Sequence, residues 1–220
     1  MKKEVMISVS TLPVADYQGI VEYAKSLQGL ADFLHCDVMD GEFVPATTYN
    51  QTVVYSINQN CLTMLDVHLM VKEPAALIDG YIEAGANIIT LHYEAFKDKE
   101  ELHSMLHYIR EKNVLAGLAV NPETDLSDIK LYFYEVDLVL VMGVAPGAYG
   151  QKLLPGIVDK IKSIADYRDA NSMKFKIEID GGVNLENAST LVEAGADILV
   201  SGNYVYKAQD REAAINALRG

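Results

Sequence analysis

Three short segments carry ionisable side chains at spacings that could do joint chemistry. They are His35-Cys36-Asp37-Val38-Met39-Asp40-Gly41, Asp66-Val67-His68-Leu69-Met70 and Glu178-Ile179-Asp180-Gly181-Gly182. In a β-strand, residues two apart share a face. His35, Asp37 and Met39 therefore point one way, and Asp66, His68 and Met70 do the same. If the intervening Cys36, Val38, Val67 and Leu69 face a core, then His35, Asp37, His68 and Asp180 can converge from three strand ends. Two imidazoles and two carboxylates suit one divalent metal ion; zinc, manganese, iron and cobalt all accept such ligands. Taken singly, a strand-end His is more often a hydrogen-bonded structural residue, and an Asp before Gly a turn former. Three such strand ends together outweigh that reading, because an unpaired buried carboxylate is costly. Met39, Met70 and Met142 read singly as core filler.

A second signal is for an anion. Gly-rich loops at 143–150, 180–184 and 201–203 follow three of the strands. Backbone N–H groups in such loops, with a short helix N-terminus, bind phosphate in many barrels. The glycines Gly147, Gly150, Gly181, Gly182 and Gly202, with Asn203, are the candidate contacts.

Strands are expected at 6–10, 33–38, 64–70, 88–91, 115–120, 138–142, 175–179 and 198–201. They are short apolar runs, as in parallel sheets covered on both faces. Helical periodicity fills the intervals at 15–27, 74–84, 100–112, 155–167, 185–194 and 211–218, and more weakly at 52–58 and 126–132. Short segments repeat: Glu83-Ala84-Gly85-Ala86-Asn87-Ile88 returns as Glu193-Ala194-Gly195-Ala196-Asp197-Ile198, with looser copies around Ala31-Asp32 and Val136-Asp137. The first two read as a helix end, a Gly cap, a tight turn and a buried strand. Eight strand–helix units predict an α/β fold, a (β/α)8 barrel forming a single domain over 1–220. The competing architecture is an open doubly wound sheet, but no Gly-x-Gly-x-x-Gly follows the first strand.

With 18 Lys plus Arg against 31 Asp plus Glu, the net charge is −13. Such a chain repels nucleic acid and anionic membrane surfaces, so neither is an expected partner. No apolar run approaches the ~18 residues of a membrane span. Cys36 and Cys61 form no Cys-x-x-Cys pair, which fits reduced thiols and a cytoplasmic location.

The segment His35-x-Asp37-Val38-Met39-Asp40-Gly41-x-Phe43-Val44-Pro45 resembles the signature of the ribulose-phosphate 3-epimerase family. So do Leu65-Asp66-Val67-His68-Leu69-Met70, Ile177-Glu178-Ile179-Asp180-Gly181-Gly182-Val183-Asn184, and Val141-Met142 followed by Pro146-Gly147 and Gly150-Gln151-Lys152. The resemblance runs in order from Ile7 to about Gly202. It implies a ribulose-phosphate-binding barrel that inverts C3 of a small phosphorylated ketose through an enediolate. It also implies that His35, Asp37, His68 and Asp180 hold one divalent metal, zinc first, with iron, manganese or cobalt as alternatives. Asp37 and Asp180 become the acid/base pair. Ser10, His68, Met39, Met70, Met142, Gly147, Gly150, Gly181, Gly182, Gly202 and Asn203 become substrate contacts. A homo-oligomer is expected by the same likeness.

The chain departs from the family pattern at Val9, Ala46, Asn203 and the strand-six loop, with Gly143, Ala145, Ala148 and Tyr149. None of these is a metal position, so epimerisation stands and the sugar is the open point. D-ribulose 5-phosphate to D-xylulose 5-phosphate is favoured. D-allulose 6-phosphate 3-epimerisation is the alternative, to which Asn121-Pro122-Glu123-Thr124 bears a mild likeness. A non-catalytic sugar-phosphate-binding barrel ranks behind both. A decarboxylase of the same barrel type is disfavoured, because Met39 stands where that group carries Lys.

Overall fold

The computed structural model describes residues 4–147 and 150–220. Eight parallel strands pair in chain order and close on themselves, β8 returning to β1, with helices between them. The fold is a (β/α)8 barrel. Its strands are β1 (Met6–Ser10), β2 (Phe33–Met39), β3 (Met64–Met70), β4 (Ile88–His92), β5 (Leu115–Val120), β6 (Leu138–Met142), β7 (Lys176–Asp180) and β8 (Ile198–Ser201). All eight lie where sequence periodicity puts them, with ends shifted by a residue at most. One shift matters: β7 ends on Asp180 itself, so that side chain stands at the strand terminus.

The helices are α1 (Tyr17–Ser26), α2 (Gln51–Asn60), α3 (Ile78–Glu83), α4 (Lys99–Glu111), α5 (Leu126–Ile129), α6 (Ile157–Ala170), α7 (Ala188–Ala194), α8 (Asn203–Tyr206) and α9 (Arg211–Arg219). Their starts are set by caps. Asp16 accepts from Gly19 N at 2.8 Å, so α1 begins at Tyr17 and not at Ala15. The span 74–84 is two pieces, a 3₁₀ turn at Pro74–Ala76 and then α3. Helix α7 starts at Ala188 because Asn184 and Asn187 form a turn, Asn187 Oδ1 accepting from Asn184 N at 2.9 Å. Helix α8, a single turn, carries too little periodicity to be read from sequence.

The repeated segments have a common structural cause. Asp32, Asn87, Asp137 and Asp197 stand just before or at the start of the even-numbered strands. Each accepts, through its side chain, the N–H of the second residue of the preceding odd strand: Ile7, Leu65, Ala116 and Ile177, at 2.7, 2.7, 3.0 and 2.9 Å. Each also donates its own backbone N–H to that same residue's carbonyl. One side chain thus closes the ladder at the entry end of each strand pair. The preceding Gly85 and Gly195 turn the chain there with φ of 95° and 124°, which favour glycine.

Outward-facing residues such as Leu34, Val67, Ile89, Leu118, Val139 and Ile177 join the helices in one continuous core. Inside the barrel the side chains form layers. Phe33, Ile88, Leu138 and Ile198, with Met6, make an apolar floor. Two residues further along, Ser8, His35, Asp66, Thr90 and Glu178 make a polar layer with no exposure. Ser10, Asp37, His68, His92 and Asp180 follow, toward the strands' C-terminal ends. Hydrophobic burial therefore holds the outer shell and the floor; above the floor polar groups fill the side of β1 to β4 and β7, and Ala119, Leu140 and Met142 form an apolar cluster on β5 and β6.

The strand-entry clamps predict a stability series. Asp197 also accepts from Arg168 Nη1 at 2.6 Å in a nearly buried pair. Asp197→Ala leaves both donors short of a partner and is expected to lower unfolding free energy by about 3 kcal/mol in urea titrations. Asp197→Asn, which keeps the bond from Ile177 N, is expected to lose less.

Candidate active site

The register of the barrel assembles the site. Ser10 pairs with His35, Asp37 with His68, Met39 with Met70, and Met142 with Asp180. Paired residues of neighbouring strands share a face, so the four candidate ligands come together. One ligand atom from each of His35, Asp37, His68 and Asp180 lies within 4.8 Å of the others. His35 Nε2 and His68 Nδ1 approach Asp37 Oδ1 at 3.1 and 3.2 Å and Asp180 Oδ2 at 3.9 and 4.0 Å. Ligands held about 2.1 Å from a tetrahedral ion would stand about 3.4 Å apart. The observed spacings bracket that value, and two imidazoles with two carboxylates are the donors such an ion takes. The residues fit a divalent metal ion.

The two carboxylates differ in their surroundings. Asp37 is 3% exposed and accepts from Ser10 Oγ at 3.1 Å through its other oxygen. Burial opposes its charge, but His35 and His68 outweigh that and hold its carboxyl well below the usual range. Asp180 is partly open to the cavity, its side chain 17% exposed. Burial and the Asp37 charge push its pKa up to about 6, against the pull of both imidazoles. His35 is the mirror case: burial opposes protonation, while Asp37 and Asp66 raise its pKa well above the ordinary value.

Behind these groups stand partners that sequence reasoning left unassigned. Asp66 Oδ2 lies 2.6 Å from His35 Nδ1 and accepts from Ser8 Oγ at 3.0 Å. His92 Nε2 lies 2.9 Å from His68 Nε2, and His92 Nδ1 lies 3.1 Å from Glu94 Oε2. Burial lowers the His92 pKa to about 4, with Glu94 pulling the other way. Glu178, fully buried within 4.8 Å of Asp66 and His35, has its pKa raised well above the usual range by burial and by the Asp66 charge. A signal for all of them was present: His35-x-Asp37, Asp66-x-His68, His92-x-Glu94 and Glu178-x-Asp180 share one spacing on four strands or strand ends.

Above the cluster opens a cavity of about 930 Å³. Ser10, Asp37, Met39, Met70, Met142 and Asp180 form its base. Gly147, Gly150, Gly181, Gly182, Gly202 and Asn203 line its wall. Every residue expected to touch substrate therefore borders one space, except His68, which lies fully buried beneath it. Ala148 and Tyr149 lie outside the described residues. The departure Gly143 has a steric cause: a Cβ there would come within 2.3 Å of Gly181 O and 2.8 Å of Leu153 Cδ1. Its N–H donates to Asp180 O at 2.6 Å, so the β6 and β7 loops touch backbone to backbone beside the cluster. Asn121-Pro122-Glu123-Thr124 does not line the cavity; Asn121 N and Thr124 Oγ1 bond instead to Glu94.

A closed barrel with two unlike carboxylates facing one cavity is the layout of an enzyme that moves protons on a small bound molecule. Comparison makes this specific: the chain belongs to the Ribulose-phosphate 3 epimerase family, which it matches over residues 6–206. It is an enzyme of the isomerase class, an epimerase. It is 41% identical to the ribulose-phosphate 3-epimerase of Bacillus subtilis (strain 168) over 208 residues, covering 94% of each chain. It is 38% identical to that of Aquifex aeolicus (strain VF5), covering 88% of this chain and 86% of the relative. Among solved structures, the 3-keto-L-gulonate-6-phosphate decarboxylase of Vibrio cholerae superposes with a TM-score of 0.76 at 15% identity, covering 98% of this chain and 96% of that one. That likeness shows the shared fold alone.

The raised Asp180 pKa predicts a titration. An unfolded Asp titrates near 3.8, so the metal-free protein holds an extra proton between about pH 4 and the folded value of about 6. This group's contribution to stability falls as pH rises through that window. Side-chain ¹³C NMR of the metal-free protein should show an Asp180 midpoint near 6, and Asp37→Asn, which removes the like charge, should lower it.

Proposed function

We propose that the chain interconverts D-ribulose 5-phosphate and D-xylulose 5-phosphate by exchanging the proton at C3, with Asp37 and Asp180 as the two acid/base groups. The observation that carries this reading is the pair itself: two carboxylates on separate strands, both bordering one cavity, one held ionised and one poised near neutrality. Inversion needs a proton removed on one face of a flat enediolate and returned on the other. Two carboxylates from β2 and β7 supply one group per face. The names of the curated relatives favour the five-carbon sugar. The Asn121–Thr124 likeness lends the six-carbon alternative no support at the cavity, because Asn121 and Thr124 bond to Glu94 instead.

His35, Asp37, His68 and Asp180 would hold the metal, zinc being the first candidate for a two-imidazole, two-carboxylate set. A divalent cation there supplies Lewis-acid stabilisation for negative charge developing on the substrate's oxygens. The protein's own groups do the rest. Ser10 Oγ, bonded to Asp37 Oδ2, orients the carboxylate. Met39, Met70 and Met142 border the same space with polarizable thioethers that bring no exchangeable proton. The glycines of the β6, β7 and β8 loops leave backbone N–H groups uncovered by side chains, and Lys152 and Lys207 stand in the same wall, which suits a phosphate. The two cysteines are free and buried, and no helix among the described residues is long and apolar enough to cross a membrane; both suit our placement of the reaction in the cytoplasm.

Proton NMR in D₂O should show deuterium entering C3 of ribulose 5-phosphate as xylulose 5-phosphate appears. Asp37→Asn and Asp180→Asn should each lower turnover by about 10²–10⁴-fold with the barrel intact by circular dichroism. Near-parent activity in either variant would remove that residue from the acid/base pair. Zinc uptake has its own readout. Asp37 and Asp66 raise the His35 pKa well above its ordinary value, and its Nε2 lies 3.1 Å from Asp37 Oδ1, so zinc binding is expected to displace a proton from that nitrogen. Calorimetry at pH 7 in buffers of different ionisation enthalpy should detect that proton release.

A further inference from the structure

His92 and Glu94 do not line the cavity, yet His92 is fully buried against the site and Glu94 mostly so. Their geometry fixes a proton. His68 Nε2 and His92 Nε2 lie 2.9 Å apart, with the two rings stacked at 4.9 Å and 23° between planes. Two ring nitrogens at that distance share one hydrogen; the other must present a lone pair. The second nitrogen of His92, Nδ1, faces Glu94 Oε2 at 3.1 Å. Glu94 is itself anchored: its Oε1 accepts from Asn121 N at 2.9 Å and from Thr124 Oγ1. Lys160 of α6 holds that loop by donating to Asn121 O, Pro122 O and Thr124 O at 2.5, 3.2 and 2.6 Å.

An ionised carboxylate can only accept. The His92 proton therefore sits on Nδ1, toward Glu94, and His92 Nε2 is the lone pair. His68 must then donate from Nε2. That leaves Nδ1 as the His68 nitrogen directed at Asp37 and Asp180.

We propose that His92 and Glu94 are positioning residues that set the tautomer of His68: its Nε2 proton is locked toward His92, and Nδ1 is the nitrogen that gives up the hydrogen it donates to Asp37 when a cation binds. This rests on the metal centre proposed above and adds a device to it. It parallels the other side of the cluster, where His35 Nδ1 meets Asp66 and Nε2 faces the centre. The relay on the His68 side is longer by one imidazole, and it ties the site to the loop after β5 and to helix α6. Partners of this kind fix ring orientation in metal sites, and their loss typically weakens metal binding about 10–100-fold.

Long-range ¹H–¹⁵N NMR of histidine-labelled protein tests the relay without any variant. With and without zinc, His92 should carry its hydrogen on Nδ1 and His68 should carry one on Nε2. A His92 protonated on Nε2 in either state overturns the proposal. Zinc affinity, measured by competition with a chromophoric chelator, tests the consequence. Glu94→Ala and His92→Leu should each bind zinc about 10–100-fold more weakly. Affinities within twofold of the parent in both Glu94→Ala and His92→Leu overturn it as well. A parent chain that takes up no zinc sinks the metal reading together with its positioning device; wrong tautomers in a zinc-binding parent sink the relay alone.

Discussion

Asp37 sits out of water at the centre of the barrel, between the two imidazoles of His35 and His68, with Ser10 on its remaining oxygen. Taking a carboxylate from water costs several kcal/mol unless its neighbours replace the lost hydration. Each neighbour is in turn held from behind, His35 by Asp66 and His68 by His92 and Glu94. The polar middle of the barrel follows from that one requirement. The floor beneath it needs no such support, and Phe33, Ile88, Leu138 and Ile198 fill it with apolar side chains. Stability is thus divided: burial between strands and helices holds the shell, while the interior is given over to a charge network.

That network treats its two cavity-facing carboxylates differently. Asp37 is almost wholly enclosed and sees both imidazoles closely, so its charge is favoured. Asp180 stands at the end of β7, further from both rings and beside Asp37, so its charge is opposed. The reaction proposed for the pair needs one carboxylate ionised while the other is protonated. In the metal-free barrel that difference comes from placement, since the residue type is the same. The close backbone contact between the β6 and β7 loops, which admits no side chain at Gly143, keeps Asp180 where that difference arises.

Much of this was legible beforehand because period-two alternation is a local property. The four candidate ligands, Ser10 and the three methionines all emerged from strand faces or from family likeness, and the structure brings them to one place. The supporting residues did not emerge, although His92-x-Glu94 and Glu178-x-Asp180 carry the same spacing. By sequence Asp66 shares the face of His68 without a role of its own, and His92 stands just past the end of its expected strand. Only their distances to His35 and His68 show what they do. Asn121–Thr124 is the converse: it bears a mild likeness to the six-carbon epimerases, and in the structure it anchors the partly buried carboxylate of Glu94.

The amino-acid sequence by itself determined the alternation of eight strands with helices and the face on which each ionisable residue would stand, while closure into a barrel is the pairing of β8 with β1. Alternation and faces follow from hydrophobic periodicity and from caps and turns, which act over a few residues. It also showed a repeated Asp or Asn before alternate strands, without showing that each clamps the N–H of the strand before it. The tertiary structure alone decided which like residues become unlike: the ionised and the poised carboxylate, the imidazole backed by Asp66 and the one backed by His92. Those differences are electrostatic. They depend on burial and on charges brought within a few ångströms from strands distant in sequence, and no local pattern encodes that distance.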